Sequence, residues 1–132
     1  MNIKEMREIT GETQKEFAKR FDIPLGTLGR WEYGESTPAP YVIKLIAQQL
    51  PIDTGRLKVI DDGKGTKFYY DNENRIVIDR KGTRIKVNES VDMVKEQNLF
   101  LYTKDLFETY YELIEKFDRD CRLDKQEDII WG

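Results

Sequence analysis

Two groups of basic side chains are the residues of this chain best suited to a chemistry: Lys15, Lys19, Arg20 and Arg30 near the N-terminus, and Arg80, Lys81, Arg84 and Lys86 around a Lys81-Gly82 turn. That chemistry is neutralisation of phosphate, each contact of which steepens the salt dependence of nucleic-acid binding. The second group fits either a wing on neighbouring phosphates or the solvated face of a sheet. Covalent chemistry finds no equipment. With no histidine and a single cysteine, Cys121, the chain lacks the commonest proton shuttle and metal ligand, and it can form neither an internal disulfide nor a cysteine-rich zinc site. It contains no GxSxG elbow, phosphate-binding loop or HExxH. The adjacent carboxylates Asp61-Asp62 stand at a turn, where acidic residues serve conformation. No enzyme activity, cofactor or metal is expected.

The 132 residues are 39% apolar and 36% charged, enough for a core inside a soluble surface. No stretch nears the roughly 20 apolar residues that span a bilayer, and the N-terminus lacks the apolar run of a signal peptide. The expected location is the cytoplasm, with no membrane partner. Net charge is −3 and unevenly spread. Residues 1–50 hold seven basic and seven acidic side chains, residues 51–87 nine against six, and residues 88–132 six against twelve. A phosphate footprint must therefore be local, and the acidic C-terminal part should point away from it.

The elements that position these cations follow from spacing. Phe17, Ala18, Phe21, Ile23, Leu28 and Trp31 suit two short helices meeting over one core, not an alternating strand. Thr13 and Glu16 form a capping-box pattern, and Asp22 tolerates the left-handed backbone of a sharp turn. Pro24 suits the first position of the next helix, and Gly34 stops it. Helices are predicted at about residues 3–10, 14–21, 24–33 and 40–50, the last closed by Pro51.

This segment resembles the Cro/CI-type helix-turn-helix family, also called the XRE family. The resemblance rests on Thr13-Gln14, Phe17-Ala18, Phe21, Ile23, Thr27, Leu28, Arg30, Trp31, Glu32, Gly34 and Pro38. It extends through Met6, Arg7, Gly11, Val42, Leu45 and Ile46, covering about residues 1–50. It implies an N-terminal four- to five-helix, lambda-repressor-like domain over residues 1–52 whose third helix enters the major groove of double-stranded DNA. By position, Gln14 and Lys15 meet the DNA backbone, whereas Leu25, Thr27 and Arg30 face bases. Lys19, Arg80, Lys81 and Arg84 are further candidates for phosphate. Four residues depart from the family pattern: Glu12, Gly26, Gly29 and Glu35. The two glycines offer no side chain to a base, and Glu35 stands where relatives carry a phosphate-facing cation.

After a Thr54-Gly55 hinge the pattern becomes a three- or four-stranded antiparallel meander across residues 56–87, which needs a cover. A short helix is expected near residues 90–96, and Leu99-Phe100-Leu101-Tyr102 reads as an extra strand or a buried connection. Thr103 then caps a helix with a stripe of Leu106, Phe107, Tyr110, Tyr111, Leu113, Ile114 and Phe117. The expected class is α+β: the helical domain, then a small meander packed against a long C-terminal helix as a second domain, residues 56–132, for dimerisation or sensing. Tyr110, Tyr111, Ile114, Phe117 and Trp131 are the dimer-interface candidates. The resemblance implies a transcriptional repressor of a bacterium, phage or mobile element, bound to its operator as a homodimer. The alternative is a protein-interaction module on the same fold, an antitoxin or a phage-encoded inhibitor of a host nucleic-acid enzyme.

Overall fold

The computed structural model describes residues 1–131, leaving out the side chains of Glu96 and of residues 126–131. Helix α1 (Ile3–Thr10) begins in a capping box: the Glu5 amide donates to Asn2 Oδ1 at 2.8 Å and the Asn2 amide to Glu5 Oε1 at 3.1 Å. It ends at Gly11, whose φ of 75° closes the last turn. Helices α2 (Gln14–Arg20), α3 (Leu25–Tyr33) and α4 (Pro40–Gln49) follow the predicted order. Leu50 is extended because Pro51 excludes the helical conformation at the residue before it. Pro24 precedes α3 instead of opening it: with ψ at 134°, it is the cap residue, and its carbonyl accepts from Thr27 and Leu28 at 3.0 and 3.1 Å.

Four strands form one antiparallel meander in chain order: β1 (Leu57–Asp61), β2 (Lys67–Asp71), β3 (Ile76–Ile78) and β4 (Arg84–Lys86). The β1–β2 turn is built by Asp61 and Asp62, whose carboxylates accept from the amides of Gly63, Lys64 and Thr66. Register sets Tyr69 opposite Ile78. Both are fully buried, and they share one cluster with Ile3, Met6, Ile9, Phe17, Leu28 and Ile46. The apolar core thus crosses the Thr54-Gly55 change of pattern, and this face of the sheet is covered by the N-terminal helices. By alternation, Phe68, Tyr70 and Val77 stand on the opposite face, and they are buried too.

Residues 1–94 form one compact unit and the chain from Lys95 onward a second. The first ends in a short 3-10 turn, Val91–Met93, capped by Ser90, in place of the helix expected near residues 90–96. The second is a single helix, α5 (Glu96–Trp131). Leu99 to Tyr102 are helical, which corrects the expected strand or connection, since no turn residue separates them from the stripe that follows. Thr103 is accordingly no cap. It is buried inside the helix, its hydroxyl donating to the Leu99 carbonyl at 2.8 Å.

Helix α1 meets the β3–β4 turn backbone to backbone. A Cβ on Gly82 would overlap the Gly11 nitrogen and stand 2.7 Å from the Gly11 Cα and 2.9 Å from the Thr10 carbonyl carbon. Gly82 also has φ of 82°, which costs other residues roughly 1 to 3 kcal/mol. Gly82→Ala should therefore destabilise the protein by more than Gly65→Ala, where φ is 98° but the surrounding space is open. Urea unfolding midpoints check this, and equal losses would show that the α1–turn contact carries no weight.

Candidate nucleic-acid interface

The helix pair α2–α3 is built from short-range features. Thr13 Oγ1 accepts from the Glu16 amide at 3.2 Å, and the Glu16 carboxylate accepts from the Thr13 amide and hydroxyl. Asp22 takes φ of 55° in the turn, and the Ile23 amide donates to the Ala18 carbonyl at 2.8 Å. Phe17, Ala18 and Leu28 are buried and lock the two helices face to face. Gly34, at φ of 80°, ends α3.

Orientation of α3 depends on an ion pair. Arg7 of α1 donates from Nε and Nη2 to both carboxylate oxygens of Glu32 at 2.9 and 2.7 Å, and from Nη1 to the Glu12 carbonyl at 3.1 Å. Gln14 Nε2 adds a third donor to Glu32 at 3.2 Å. The Glu32 side chain is only 3% exposed. Burial pushes its carboxyl up, but the hydrogen bonds from Arg7 and Gln14 and the Arg7 charge prevail and hold it below the usual carboxylate range. The same hydrogen bond raises Arg7.

What remains for a ligand is the outer arc of α3. At 100° per residue, Leu25, Gly29, Tyr33, Gly26 and Arg30 span about 140° of the helix. All but Gly29 are exposed, Leu25 by 49% and Tyr33 by 82%. Thr27 is half-buried beside this arc, and Arg30 Nη2 lies 3.4 Å from its Oγ1. A side-chain Cβ at Gly26 or Gly29 would meet nothing within 4 Å, so neither glycine is required by packing. Glu35 is exposed just beyond α3. Tyr33 was missed by sequence reasoning because its position at the helix end read as a terminus; its spacing of three and seven from Arg30 and Gly26 was the available signal.

The other candidates are scattered. Lys15 and Lys19 are exposed on α2 and make no ion pair among the described residues. Gln14 is tied back to Glu32 instead of standing free at the helix start. Arg20 is held by the Glu12 carboxylate and by the Gln49 carbonyl. Arg80 is also occupied inside the protein, donating from Nε and Nη2 to Glu8 at 2.6 and 2.9 Å and from Nη1 to the Gly65 carbonyl. Lys81, Arg84 and Lys86 are exposed around the same hairpin. On α5, Tyr110, Ile114 and Phe117 are exposed and Tyr111 is half-buried. The Trp131 side chain lies outside the described residues. Among the described residues, no cluster of acidic or cysteine side chains is placed to hold a metal, and no helix is long and apolar enough to cross a membrane.

Two outcomes test this geometry. Arg7→Ala should cost about 3 to 5 kcal/mol, because it strands a buried carboxylate. Glu32→Gln should also lower stability at neutral pH. Since the folded carboxyl is depressed, its contribution is present above the unfolded value near pH 4.3 and lost as pH falls through the folded one. The gap between Glu32→Gln and the parent should therefore close on acidification in denaturant titrations; a gap unchanged between pH 7 and pH 3 would refute the assignment. Separately, Gly29→Ala should stabilise the protein by up to about 1 kcal/mol, because helix propensity improves and nothing is displaced. A lowered melting temperature would count against open space at that position.

Residues 3–57 match the helix-turn-helix family model. No curated protein and no solved structure matches the chain. At the level of the family the match supports a DNA-binding regulator. The capped α2, left-handed Asp22 turn and outward α3 lie within the residues 3–57 that match the family model, consistent with a helix-turn-helix of the Cro/CI, or XRE, type.

Proposed function

We propose that this chain is a sequence-specific DNA-binding regulator, a cytoplasmic repressor that lays α3 in the major groove as a homodimer. The observation that carries the reading is the division of α3. Leu28 is spent on the core and Glu32 on Arg7, whereas Leu25 and Arg30 are left outward, Arg30 holding only the exposed contact to Thr27 one turn away. Arg30 can hold a guanine bidentately, and Leu25 or the Thr27 methyl can pack on a thymine methyl. Lys15 and Lys19 supply phosphate contacts along the adjoining helix, with Lys81 and Arg84 as a further basic pair. A homodimer follows from reach: one such helix reads few base pairs, and two-fold pairing sets two of them about 34 Å apart on one face of DNA.

A second reading is favoured by the glycines of α3. Gly26 and Gly29 present only backbone where a reader would carry side chains, in a helical segment of zero net charge. Both features suit a protein-interaction module, such as an antitoxin or an inhibitor of a nucleic-acid enzyme, with the acidic C-terminal region turned to a basic partner.

Selection of bound sequences from random DNA at physiological salt separates the two. The regulator reading expects an enriched site with two-fold symmetry, and Arg30→Ala should weaken binding to it by about 1 to 3 kcal/mol. Failure to enrich any sequence would overturn that reading in favour of the interaction module; unchanged affinity of Arg30→Ala would remove Arg30 from the readout.

A further inference from the structure

The stripe along α5 has the spacing of a coiled-coil seam. Thr103, Phe107, Tyr110, Ile114, Phe117 and Cys121 recur at alternating intervals of four and three, the a and d positions of about three heptads. Its beginning is buried at Thr103 and Phe107. Tyr110, Ile114 and Phe117 are open, Ile114 being 44% exposed and Phe117 67%, with Leu113 beside them at 61%, and Cys121 is half-buried. One helix cannot bury a seam of this kind by itself, whereas a second copy of the same helix matches it residue for residue.

Charge selects the direction of such a pair. With Phe107, Ile114 and Cys121 at a, the e positions are Tyr111, Asp118 and Lys125 and the g positions Leu106, Leu113 and Asp120, and Asp124 at the d position after Cys121 ends the apolar seam. In a parallel, in-register pair each g faces the e five residues further along the other helix. Asp120 then meets Lys125 of the second copy, twice by symmetry, and Leu113 meets Asp118 without repulsion. Asp120 already engages Lys116 of its own helix at 3.0 Å, so its carboxylate would stand between two ammonium groups. An antiparallel pair centred on Ile114 and Phe117 would instead oppose Lys104 to Lys125 and give Asp120 only Leu113. We propose that α5 pairs with α5 of a second copy of this chain as a parallel, in-register coiled coil from Tyr110 to Cys121, with the Asp120–Lys125 pairs at its end. The proposal rests on the homodimer reading and adds the surface and the direction.

Cys121 reports the geometry because it occupies an a position. In the parallel pair the two Cys121 residues face each other within the Cα separation that a disulfide accepts. In the antiparallel pair Cys121 lies level with Tyr110, so the two thiols are separated by about 16 Å along the axis. The experiment treats the full chain at micromolar concentration with diamide, which takes up two hydrogens as two thiols become one disulfide, and measures mass by light scattering without oxidant. The expected results are a dimeric mass, a covalent dimer that Cys121→Ser abolishes, and loss of both dimer mass and cross-link in Phe117→Asp with helicity by circular dichroism retained. A dimeric mass without the cross-link overturns the parallel seam while the homodimer reading stands on another surface. A monomeric mass overturns both, and a cross-link that forms equally in Phe117→Asp reports random collision and overturns the seam.

Discussion

The arrangement of the N-terminal unit turns on the Glu32 carboxylate. Three elements converge on it: Arg7 from α1, Gln14 from the first position of α2, and Glu32's own helix α3, while the remaining Arg7 donor holds the Glu12 carbonyl in the loop between α1 and α2. Removing such a charge from water is costly, and only near-complete hydrogen bonding offsets the cost. The consequence is geometric more than energetic. Apolar contacts among Phe17, Ala18 and Leu28 tolerate small rotations of α3, but a bidentate fork does not. The outer arc of α3 is therefore oriented by a residue at its own margin, since Glu32, seven positions after Leu25, lies within about 20° of it around the helix.

Helix α1 extends the same logic to the sheet. Its apolar side supplies Ile3, Met6 and Ile9 to the core, and its acidic side supplies Glu5 and Glu8 to partners far along the chain. Glu5 at once closes the α1 capping box and accepts from the Tyr69 hydroxyl at 2.8 Å. Burial pushes the Glu5 carboxyl up, yet the Asn2 amide, the Tyr69 hydroxyl and the Lys67 charge hold it below its ordinary range. Burial and the Glu5 contact together raise the Tyr69 hydroxyl well above its own. Polar contacts thus knit helices and sheet around one core, with the Gly11–Gly82 approach closing its rim.

Which of these features could be read in the sequence depends on their range. The Thr13–Glu16 box, the Asp22 turn and the Gly34 stop each involve residues a few positions apart, and the identities of those residues suffice to announce them. The Arg80–Glu8 pair spans 72 positions, and nothing in Arg80 distinguishes a phosphate ligand from an internal one. The shared core was hidden for a related reason: Tyr69 and Ile78 alternate as any half-buried strand does, and alternation does not say which element covers the face. Leu99 to Tyr102 misled because a short apolar run has no period of its own, and only its continuity with the helix after it decides its conformation. At the site, inner residues such as Phe17 and Leu28 were legible from type alone. Gln14 was not, because an amide at a helix start serves a phosphate or a neighbouring carboxylate equally well.

The fate of the arginines bears on how such a domain would hold DNA. Arg7, Arg20 and Arg80 are each spent on a glutamate of the same unit, Arg56 pairs with Asp53 and Glu73, and Arg75 holds the Asn88 carbonyl. Arginine suits these tasks because its planar fork satisfies a carboxylate with two parallel bonds, whereas lysine offers a point charge on a flexible stem. On the α2–α3 face this leaves Lys15, Lys19 and Arg30 outward, a sparse set in a region of zero net charge. A protein with few phosphate contacts gains little from counterion release and binds bulk DNA weakly. Useful affinity must then come from base contacts and from joining two reading heads in one molecule, since a second tethered contact raises overall affinity without adding charge. The acidic α5 is compatible with that division of labour on the proposed reading: a helix that paired with a second copy would need no attraction to phosphate.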